Sequence, residues 1–581
     1  MNHIYSKFIT KEQRSFNVFD VLVLIVLFAA LCAITWGAGQ MAQPYKLGEQ
    51  LAISLSPSAL PFYAIRTVMR MFLGLFLSFV FTFTVATLAA HSKRAARVII
   101  PFMDIMQSIP VLGFLSISVV PFILLFPNSM LGPECAAVFA IFTAQAWNMA
   151  LSFYQSLKSI PKELTEATAM LQLSPWQTFW RLKVPFAMPT LLWNTMMSMS
   201  AAWFFVVASE AIHISNQSIY LPGIGSYIQV ALNQNNHWAM CYAVITMFIV
   251  ILIYDQLFLR PLLSWSERFK GMNANDRPIQ PSWFLSWLRQ ARWLNSFSDR
   301  LDNLKDLFLN PLHERKYPIR QRSKRDIIWP KFKNYLSMAI WNVLSVGILV
   351  WSLHSVVFFV LHELPLSEVK HVFLLGSYTA LRVFCSVVIA SCIWVPVATL
   401  ISLRPKLAQN VQIIAQFGAS FPANILYPLF FAFMVRYHLS LEWCSVILMF
   451  LGTQWYILFN VIGGAIAIPN ELFLAVSSYK VRGWLWWRRF MLPAVFPHYV
   501  TGAMTAAGAC WNASILAEII QSGDMHLEAT GLGAYITQAT ATGDFPRIAL
   551  SIGVMSLYVI LFNHLVWQKL YRLAQERYSE S

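Results

Sequence analysis

The chain has 581 residues, of which 57% are hydrophobic and only 12% are charged, and its formal net charge is +16. A soluble chain of this length needs more charged side chains to cover its surface, so the composition excludes an ordinary soluble protein and favours a polytopic membrane protein. The seven cysteines are scattered, without the spacing of a metal site. No Gly-Lys dipeptide occurs, which excludes a P-loop.

Twelve apolar segments are each long enough to cross a hydrocarbon core of about 30 Å, which takes about 20 helical residues. In the first half, the predicted spans are 18–39, 62–90, 99–126, 134–156, 187–212 and 237–260. In the second half, they are 336–361, 372–402, 408–435, 441–466, 495–520 and 546–568. The first segment could be a cleaved signal peptide, but its length favours a retained helix.

The basic residues predict the orientation, because cytoplasmic loops have an excess of Lys and Arg. With the N-terminus in the cytoplasm, the inside segments hold 35 of the 42 Lys and Arg residues and the outside segments hold four. The other three, Arg66, Arg70 and Arg382, fall within predicted spans. We therefore predict that both termini are cytoplasmic, and that the positive charge reflects membrane topology and not nucleic-acid binding.

An internal duplication relates the two halves of the chain. MRMF at 69–72 matches LRVF at 381–384, an offset of 312, and from Phe142 and Phe450 onward the offset is 308. Because each copy holds six spans, an even number, the two copies have the same orientation. The predicted domains are a first half at 1–265, a basic cytoplasmic linker at 266–335 and a second half at 336–581.

The linker contains fifteen Lys and Arg against seven Asp and Glu between residues 267 and 333. It includes an amphipathic-looking stretch that begins at Pro281. Two interpretations stay open: a Trp- and Arg-bearing face that rests on anionic lipid headgroups, or a contact with a partner subunit.

A polar, aromatic insert lies between the fourth and fifth spans of each half, at 160–185 and 468–493, on the predicted cytoplasmic side. Each copy begins with Ile-Pro, continues with a short helical pattern, breaks at Pro175 or Gly483, and ends with tryptophans and a proline. Glu163 and Glu166 suit the positive end of a helix dipole. From the residues alone, a docking surface for a partner and a helix lying on lipid both remain open.

The insert resembles the EAA loop of ABC-importer permeases. The first copy matches that pattern at Ile160, Pro161, Glu163, Leu164, Glu166, Ala167 and Pro185. The second copy matches it at Ile468, Pro469, Glu471, Leu472, Ala475, Leu492 and Pro493. Gln172 and Lys480 replace the motif's glycine, and Leu474 replaces a glutamate. We therefore expect a changed turn in both copies and an altered contact in the second.

The resemblance implies an all-α polytopic membrane protein of the bacterial inner membrane, with about 12 transmembrane helices in two parallel six-helix repeats of the type I ABC-importer architecture. It implies a dimer of ATPase subunits that hold ATP and Mg, and an extracytoplasmic solute-binding protein, whereas this chain holds no cofactor. The residues implied in ATPase coupling are Glu163, Glu166, Ala167, Trp176, Pro185, Glu471, Ala475, Gly483, Trp484 and Pro493.

A narrower resemblance is to the permeases for nitrate, sulfonates, taurine and bicarbonate. It rests on the MRMF and LRVF segments, on a tryptophan seven residues before a glutamate (Trp203/Glu210 and Trp511/Glu518), and on the Gly-x-Gly-x-Tyr-Ile that follows each glutamate. This resemblance implies a small anionic solute. The Gly-x-Gly pairs are expected in outer loops and are not a dinucleotide-binding fingerprint.

Charged residues within spans are costly and face the bundle interior, pair with each other or line a pathway. Arg70 and Arg382 are repeat equivalents, as are Glu210 and Glu518. They either brace the helices as ion pairs or line the translocation path for an anion.

The alternative function is a secondary active transporter with a 6+6 parallel repeat, although that class would have its charged signature loop between spans 2 and 3. No catalytic triad, paired carboxylates or metal cluster is recognisable, so an enzyme, a catalytic residue and a metal site are not predicted.

Overall fold

The computed structural model describes residues 52–269, 282–290 and 354–578, except 215–216 and 523–524, together with scattered residues between 21 and 44 and between 347 and 352. Most of the predicted first span, most of the linker and most of the predicted seventh span lie outside the described residues. Within the predicted seventh span and just after it, residues 354–363 are described and helical.

The described part of the first half consists of helices and one β-hairpin. Its helices are α1 (Leu60–Phe81), α2 (Thr87–His91), α3 (Lys93–Ser108), α4 (Val111–Leu125), α5 (Leu131–Lys158), α6 (Lys162–Met170), α7 (Pro175–Thr178), α8 (Val184–Glu210), α9 (Ile224–Asn233), α10 (His237–Tyr254) and α11 (Arg260–Ser266). Strands β1 (Ala211–Ile214) and β2 (Gln217–Tyr220) pair antiparallel, with Ala211 opposite Tyr220. Five-residue π-helical turns lie at Thr82–Ala86, Phe179–Lys183 and Asp255–Leu259.

The described linker residues form a 3₁₀ turn (Glu267–Phe269) directly after α11 and one short helix, α12 (Trp283–Gln290). In the second half, the helices are α13 (Leu366–Ser402), α14 (Pro405–Ser420), α15 (Tyr427–Arg436), α16 (Leu441–Ala467), α17 (Asn470–Ser478), α18 (Gly483–Trp486), α19 (Leu492–Ala517), α20 (Leu532–Thr542), α21 (Phe545–Phe562) and α22 (Gln568–Tyr578). A second antiparallel hairpin joins β3 (Ile519–Ser522) and β4 (Met525–Glu528). Two more π-helical turns lie at Trp487–Met491 and Asn563–Trp567.

Seven helical stretches among the described residues are long and apolar enough to cross a membrane, and two bent helix pairs bring the number to nine. The seven stretches are Pro57–His91, Leu131–Lys158, Pro175–Glu210, His237–Ser266, Leu366–Ser402, Leu441–Ile466 and Phe545–Ala574. They coincide with the second, fourth, fifth, sixth, eighth, tenth and twelfth predicted spans. The predicted fold class, an all-α polytopic membrane protein, is therefore confirmed, with two short hairpins as its only described strands.

The eleventh predicted span is helix α19, which is rich in Ala, Gly and Thr and is less apolar than those seven stretches. Small residues let neighbouring helices approach closely. At Gly502, an added Cβ would lie 2.9 Å from Asn460 Cβ and 3.0 Å from the carbonyl oxygen of Tyr456, both on α16. The low hydropathy of α19 therefore reflects close helix packing.

The third and ninth predicted spans are bent pairs and not single straight helices. Helices α3 and α4 meet at 91°, and the pair formed by α14 and α15 bends by 75°. The breaks follow Ile109 and Phe421, whose ψ angles of 131° and 123° are extended. Each of these residues precedes a proline, and the proline ring disfavours a helical conformation at the residue before it. Hydropathy alone predicts each pair as one straight span and does not reveal the bend.

The chain divides into two compact units. One comprises residues 1–40, 155–193 and 253–332, and it includes the insert at 160–185. The other comprises residues 41–154, 194–252 and 333–581, and it includes the insert at 468–493 and both hairpins. The domain boundaries given above stay a prediction.

Candidate functional site

The insert at 160–185, here called the first loop, folds as a helix, a tight turn and a second helix. Pro161 directly precedes α6. A proline suits this position because its fixed φ is compatible with a helix start and it has no N–H that needs a partner. Glu163 lies in the first turn of α6, and none of the nine residues of this helix is buried. Ala167 and Glu166 are exposed on the same helix, and Pro185 lies half-buried at the start of α8. The predicted coupling residues of α6 are therefore exposed at the protein surface.

The turn after α6 has the left-handed geometry for which glycine is the usual residue. Gln172 has a φ of 52°, and the N–H of Leu173 donates to the carbonyl of Thr168 at 3.1 Å, which is a Schellman C-cap. In the second half, Lys480 also has a φ of 52°, and Val481 donates to the carbonyl of Val476 at 3.2 Å. The expectation of a changed turn is therefore wrong: both replacements adopt the conformation that a glycine would favour.

Because a left-handed conformation costs a non-glycine residue about 1 kcal/mol, Gln172→Gly is expected to stabilise this turn. Amide hydrogen exchange of residues 162–173, followed by mass spectrometry, is expected to slow by about fivefold. Ala167→Gly, in the interior of the same helix, is the matched control and is expected to speed the exchange, since glycine destabilises a helix interior by about 1 kcal/mol. Faster exchange in both variants would contradict the assignment of strain to Gln172.

The second helix of the first loop begins with a capping box that the sequence analysis overlooked. The side chain of Ser174 accepts from the N–H of Gln177 at 3.2 Å, and the side chain of Gln177 accepts from the N–H of Ser174 at 2.9 Å. The signal was present as Ser-x-x-Gln, one of the patterns that start a helix. Trp176 then packs against Trp180 with ring centroids 5.7 Å apart.

The insert at 468–493, here called the second loop, repeats this path with different side chains. Helix α17 starts after Pro469, has Glu471 in its first turn and leaves Ala475 exposed. Gly483 has a φ of 62° and replaces the Pro175 of the first loop, and the preceding Arg482 makes no side-chain cap. Pro493 lies in the first turn of α19.

Each half contains an ionic cluster that includes the glutamate at the C-terminal end of α8, Glu210, or the one just after α19, Glu518. The first cluster consists of Arg66, Thr67, Arg70, Glu134 and Glu210. The Arg70 guanidinium donates to Glu134 from Nε at 2.6 Å and from Nη2 at 2.7 Å, and to Glu210 from Nη1 at 2.7 Å. Arg66 donates to Glu134 at 3.0 Å, and Thr67 donates to Glu210 at 2.7 Å. Two cations face two carboxylates, so the first cluster is electrically balanced.

The second cluster consists of Thr379, Arg382, Glu442, Glu518 and Thr530. Arg382 donates to Glu518 at 2.9 Å and forms a short ion pair with Glu442. Thr379 donates to Glu518 at 2.8 Å. Glu442 accepts from the N–H and the hydroxyl of Thr530 at 2.8 Å and 2.7 Å, donors that replace the second arginine of the first cluster.

The two clusters differ in charge and in burial. One arginine faces two carboxylates in the second cluster, and the Glu442 side chain is 42% exposed, whereas that of Glu134 is 3% exposed. Water can therefore share the charge of Glu442, while the charges of the first cluster are compensated by protein groups. The predicted pairs Arg70/Glu210 and Arg382/Glu518 are both formed.

The Gly-x-Gly segments lie against these clusters. The N–H of Gly225 donates to Glu210 at 2.6 Å, and the N–H of Gly533 donates to Glu518 at 2.7 Å. Gly223 and Gly531 immediately precede α9 and α20, so the expectation that these pairs sit in loops is wrong for the second glycine of each pair. The glycines let the start of each short helix approach the end of α8 or α19.

Sequence reasoning missed Glu134 and Glu442, and with them Thr67 and Thr379. The signal was available, because Glu134 and Glu442 are separated by the repeat offset of 308 and the two threonines by 312. Trp203 and Trp511 are buried, in agreement with a packing role. Within the described ranges, no group of three or more His, Cys, Asp or Glu side chains could hold a metal ion.

The chain is similar to known transport proteins, and one family model matches it in both halves. The family model described as "Binding-protein-dependent transport system inner membrane component" matches residues 80–259 and again residues 395–571. The nitrate import permease protein NrtB of Synechocystis is 24% identical over 260 residues, which cover 43% of this chain and 88% of that relative. The bicarbonate transport system permease protein CmpB of Synechocystis is 27% identical over 121 residues, 21% of this chain and 41% of the relative.

The glycine betaine/proline betaine transport system permease protein ProW of Escherichia coli is 30% identical over 137 residues, which cover 23% of this chain and 36% of ProW. The matched segments thus span about two fifths of the length of CmpB and of ProW. The two matches to the family model together cover more than half of this chain. The chain therefore belongs to the family of binding-protein-dependent transport system inner membrane components, and it contains that family's domain twice.

Proposed function

We propose that this chain is the complete membrane pore of an ATP-driven importer for a small anionic solute such as nitrate, bicarbonate or a sulfonate. The observation on which the proposal chiefly depends is the pair of repeat-equivalent loops, each with an exposed helix, a Schellman turn and a second helix. A helix without a single buried residue on a membrane protein is a surface available to a partner. The family assignment displaces the secondary transporter as an alternative.

In this proposal, both loops and both termini lie in the cytoplasm, as the distribution of Lys and Arg indicates. Each loop docks into an ATPase subunit, and the two subunits bind ATP and Mg. Closure of the ATPase dimer would draw the loops together and open the pore to the opposite side, where a solute-binding protein delivers the solute. Fusion of the two halves makes their assembly intramolecular and thereby raises their effective concentration.

The choice of an anion is supported by the relatives named for nitrate and bicarbonate, whereas ProW is named for betaines. The ionic clusters give no further support to an anion as the transported solute. The Arg70 side chain is fully buried against two carboxylates, so we assign Arg70, Glu210 and their repeat equivalents a bracing role. Solute selection then rests mainly with the binding protein.

Uptake of labelled nitrate, bicarbonate, taurine and glycine betaine tests the substrate class. The assay uses proteoliposomes that hold the full chain with the ATPase and binding protein from the same organism. We expect ATP-dependent uptake of one of the three anionic or sulfonate solutes and none of glycine betaine. Uptake of glycine betaine alone, or uptake without ATP, would overturn the proposal.

Glu163→Ala is expected to weaken ATPase co-purification and solute uptake about tenfold, because it removes an exposed charge from the docking helix. Trp176→Ala is expected to have an effect in the same direction. Neither variant is expected to lower expression, since both side chains are at the surface. Thr165→Ala, on the same helix, is the control. Unchanged uptake in both variants would show that the first loop does not dock.

A further inference from the structure

The two loops follow the same path but bury different aromatic side chains. In the second loop, Phe473 packs on Phe490 with ring centroids 5.1 Å apart, and Trp486 packs on Phe490 at 5.8 Å. At the repeat-equivalent positions, the first loop has two threonines and a leucine, Thr165, Thr178 and Leu182. The second loop therefore holds its two helices together through an aromatic contact that the first loop cannot form.

Both loops have a tryptophan at equivalent positions, Trp176 and Trp484, but its surroundings and its exposure differ between them. In the first loop, Trp176 packs on Trp180, and 41% of its surface is exposed. In the second loop, Arg488 stands at the position of Trp180, and Trp484 is 75% exposed. The aromatic contacts inside the second loop are made by other rings, so Trp484 is left at the surface.

Three further apolar side chains of the second loop are exposed, and we call these three and Trp484 the apolar set. Tyr479 is 84% exposed, Leu474 is 68% exposed and Leu485 is 52% exposed. The first loop has Glu166 in place of Leu474 and Gln177 in place of Leu485, while Leu171, in place of Tyr479, is also apolar and is 71% exposed. Large apolar side chains that are exposed within one short polar loop indicate an interaction surface. Trp and Tyr are also the residues most often found to dominate binding energy.

The charges around the apolar set also differ from those of the first loop. The second loop has four basic residues, Lys480, Arg482, Arg488 and Arg489, and Glu471 as its only acidic residue. The first loop has three basic and two acidic residues. Charge complementarity thus favours an apolar cleft with an acidic rim as the partner surface of the second loop.

We infer that the second loop docks on its ATPase subunit by burying the apolar set, with its basic side chains facing an acidic rim, whereas the first loop combines its two exposed glutamates with the exposed Met170 and Leu171. The inference rests on the proposed function. It means that the loss of the motif's second glutamate, at Leu474, changes the chemistry of docking and does not abolish it. The two loops are then not interchangeable.

The test compares Trp484→Ala with its repeat equivalent Trp176→Ala in the full chain. The probe is the set of ATPase subunits that co-purifies with the unaltered chain, and the readout is their dissociation constant for each variant. We expect Trp484→Ala to weaken binding roughly thirtyfold and Trp176→Ala only a fewfold. Trp484→Phe, which keeps an aromatic ring, is expected to restore most of the affinity.

A second comparison separates the two kinds of docking. Raising the salt concentration from about 0.1 to 0.5 M is expected to weaken the residual binding of Trp484→Ala, which depends on charge, more than that of a Glu163→Gln/Glu166→Gln variant. Equal losses in Trp176→Ala and Trp484→Ala would overturn the inference. So would unchanged ATPase binding in Trp484→Ala, because the apolar set would then make no contact with the ATPase. If the unaltered chain binds no ATPase at all, the proposed function itself fails.

Discussion

Arg70→Gln is expected to reduce the folding free energy by about 3–5 kcal/mol, the usual cost of removing one partner from a buried ion pair. The variant leaves Glu134 and Glu210 buried, with Arg66, which pairs with Glu134, as the remaining arginine of the cluster. Scanning fluorimetry of the purified protein in detergent is expected to show a large fall in the unfolding temperature, and size-exclusion chromatography a loss of monodisperse protein.

Arg382→Gln is the matched comparison, and its expected cost is smaller. Its partner Glu442 is 42% exposed and also accepts two hydrogen bonds from Thr530, so water and Thr530 can stabilise the charge that remains. A double variant, Arg70→Gln with Glu210→Gln, restores charge balance and is expected to recover part of the loss. A stable Arg70→Gln protein with an altered preference for anions would contradict the bracing role and support a place in the translocation path.

Gly225→Ala and Gly533→Ala are expected to be the most damaging of the small substitutions in the chain. A Cβ at Gly225 would lie 2.2 Å from the carbonyl oxygen of Val207, and a Cβ at Gly533 would lie 2.4 Å from that of Ser514. Backbone atoms cannot yield as a flexible side chain can, so α9 or α20 must move away and loosen its N–H bond to Glu210 or Glu518. Overpacking of this kind costs about 1–3 kcal/mol before the lost hydrogen bond is counted.

The unfolding temperature, measured as for Arg70→Gln, checks this expectation. Gly553→Ala is the control: it lies inside α21, an added Cβ there has no atom within 4 Å, and alanine favours a helix. We expect that control to be neutral or slightly stabilising. Equal unfolding temperatures for Gly225→Ala and Gly553→Ala would show that the close approach of the short helix is not needed for stability.

The sequence predicted the spans well where one physical signal dominates. Long apolar runs predicted most of the described helices, because lipid leaves few alternatives to a helix for an apolar segment. The same signal extended the fifth span to residue 212, although α8 ends at Glu210 and Ile212 belongs to β1. Ile212 is buried, so its apolar character is real but serves a hairpin.

The clusters could be predicted only in part, because an ion pair between distant residues depends on the tertiary fold. Arg70 and Glu134 are 64 positions apart, and hydropathy places Glu134 merely at the edge of a span. Comparison of the two halves predicted cluster residues better than hydropathy did, since it identified Arg70, Arg382, Glu210 and Glu518. Extending that comparison to every charged residue at the offset of 308 would have found Glu134 and Glu442 as well.

The π-helical turns record how the two halves diverged. Phe179–Lys183 and Trp487–Met491 are separated by 308 positions, and so are Asp255–Leu259 and Asn563–Trp567. Each pair shares only one of its five residues. A π-helical turn contains one extra residue in the helix, so losing it would rotate everything beyond by about a quarter of a turn. Two of the three π-helical turns of the first half are therefore kept in the second half although most of their residues have changed, whereas Thr82–Ala86 has no π-helical counterpart in α13.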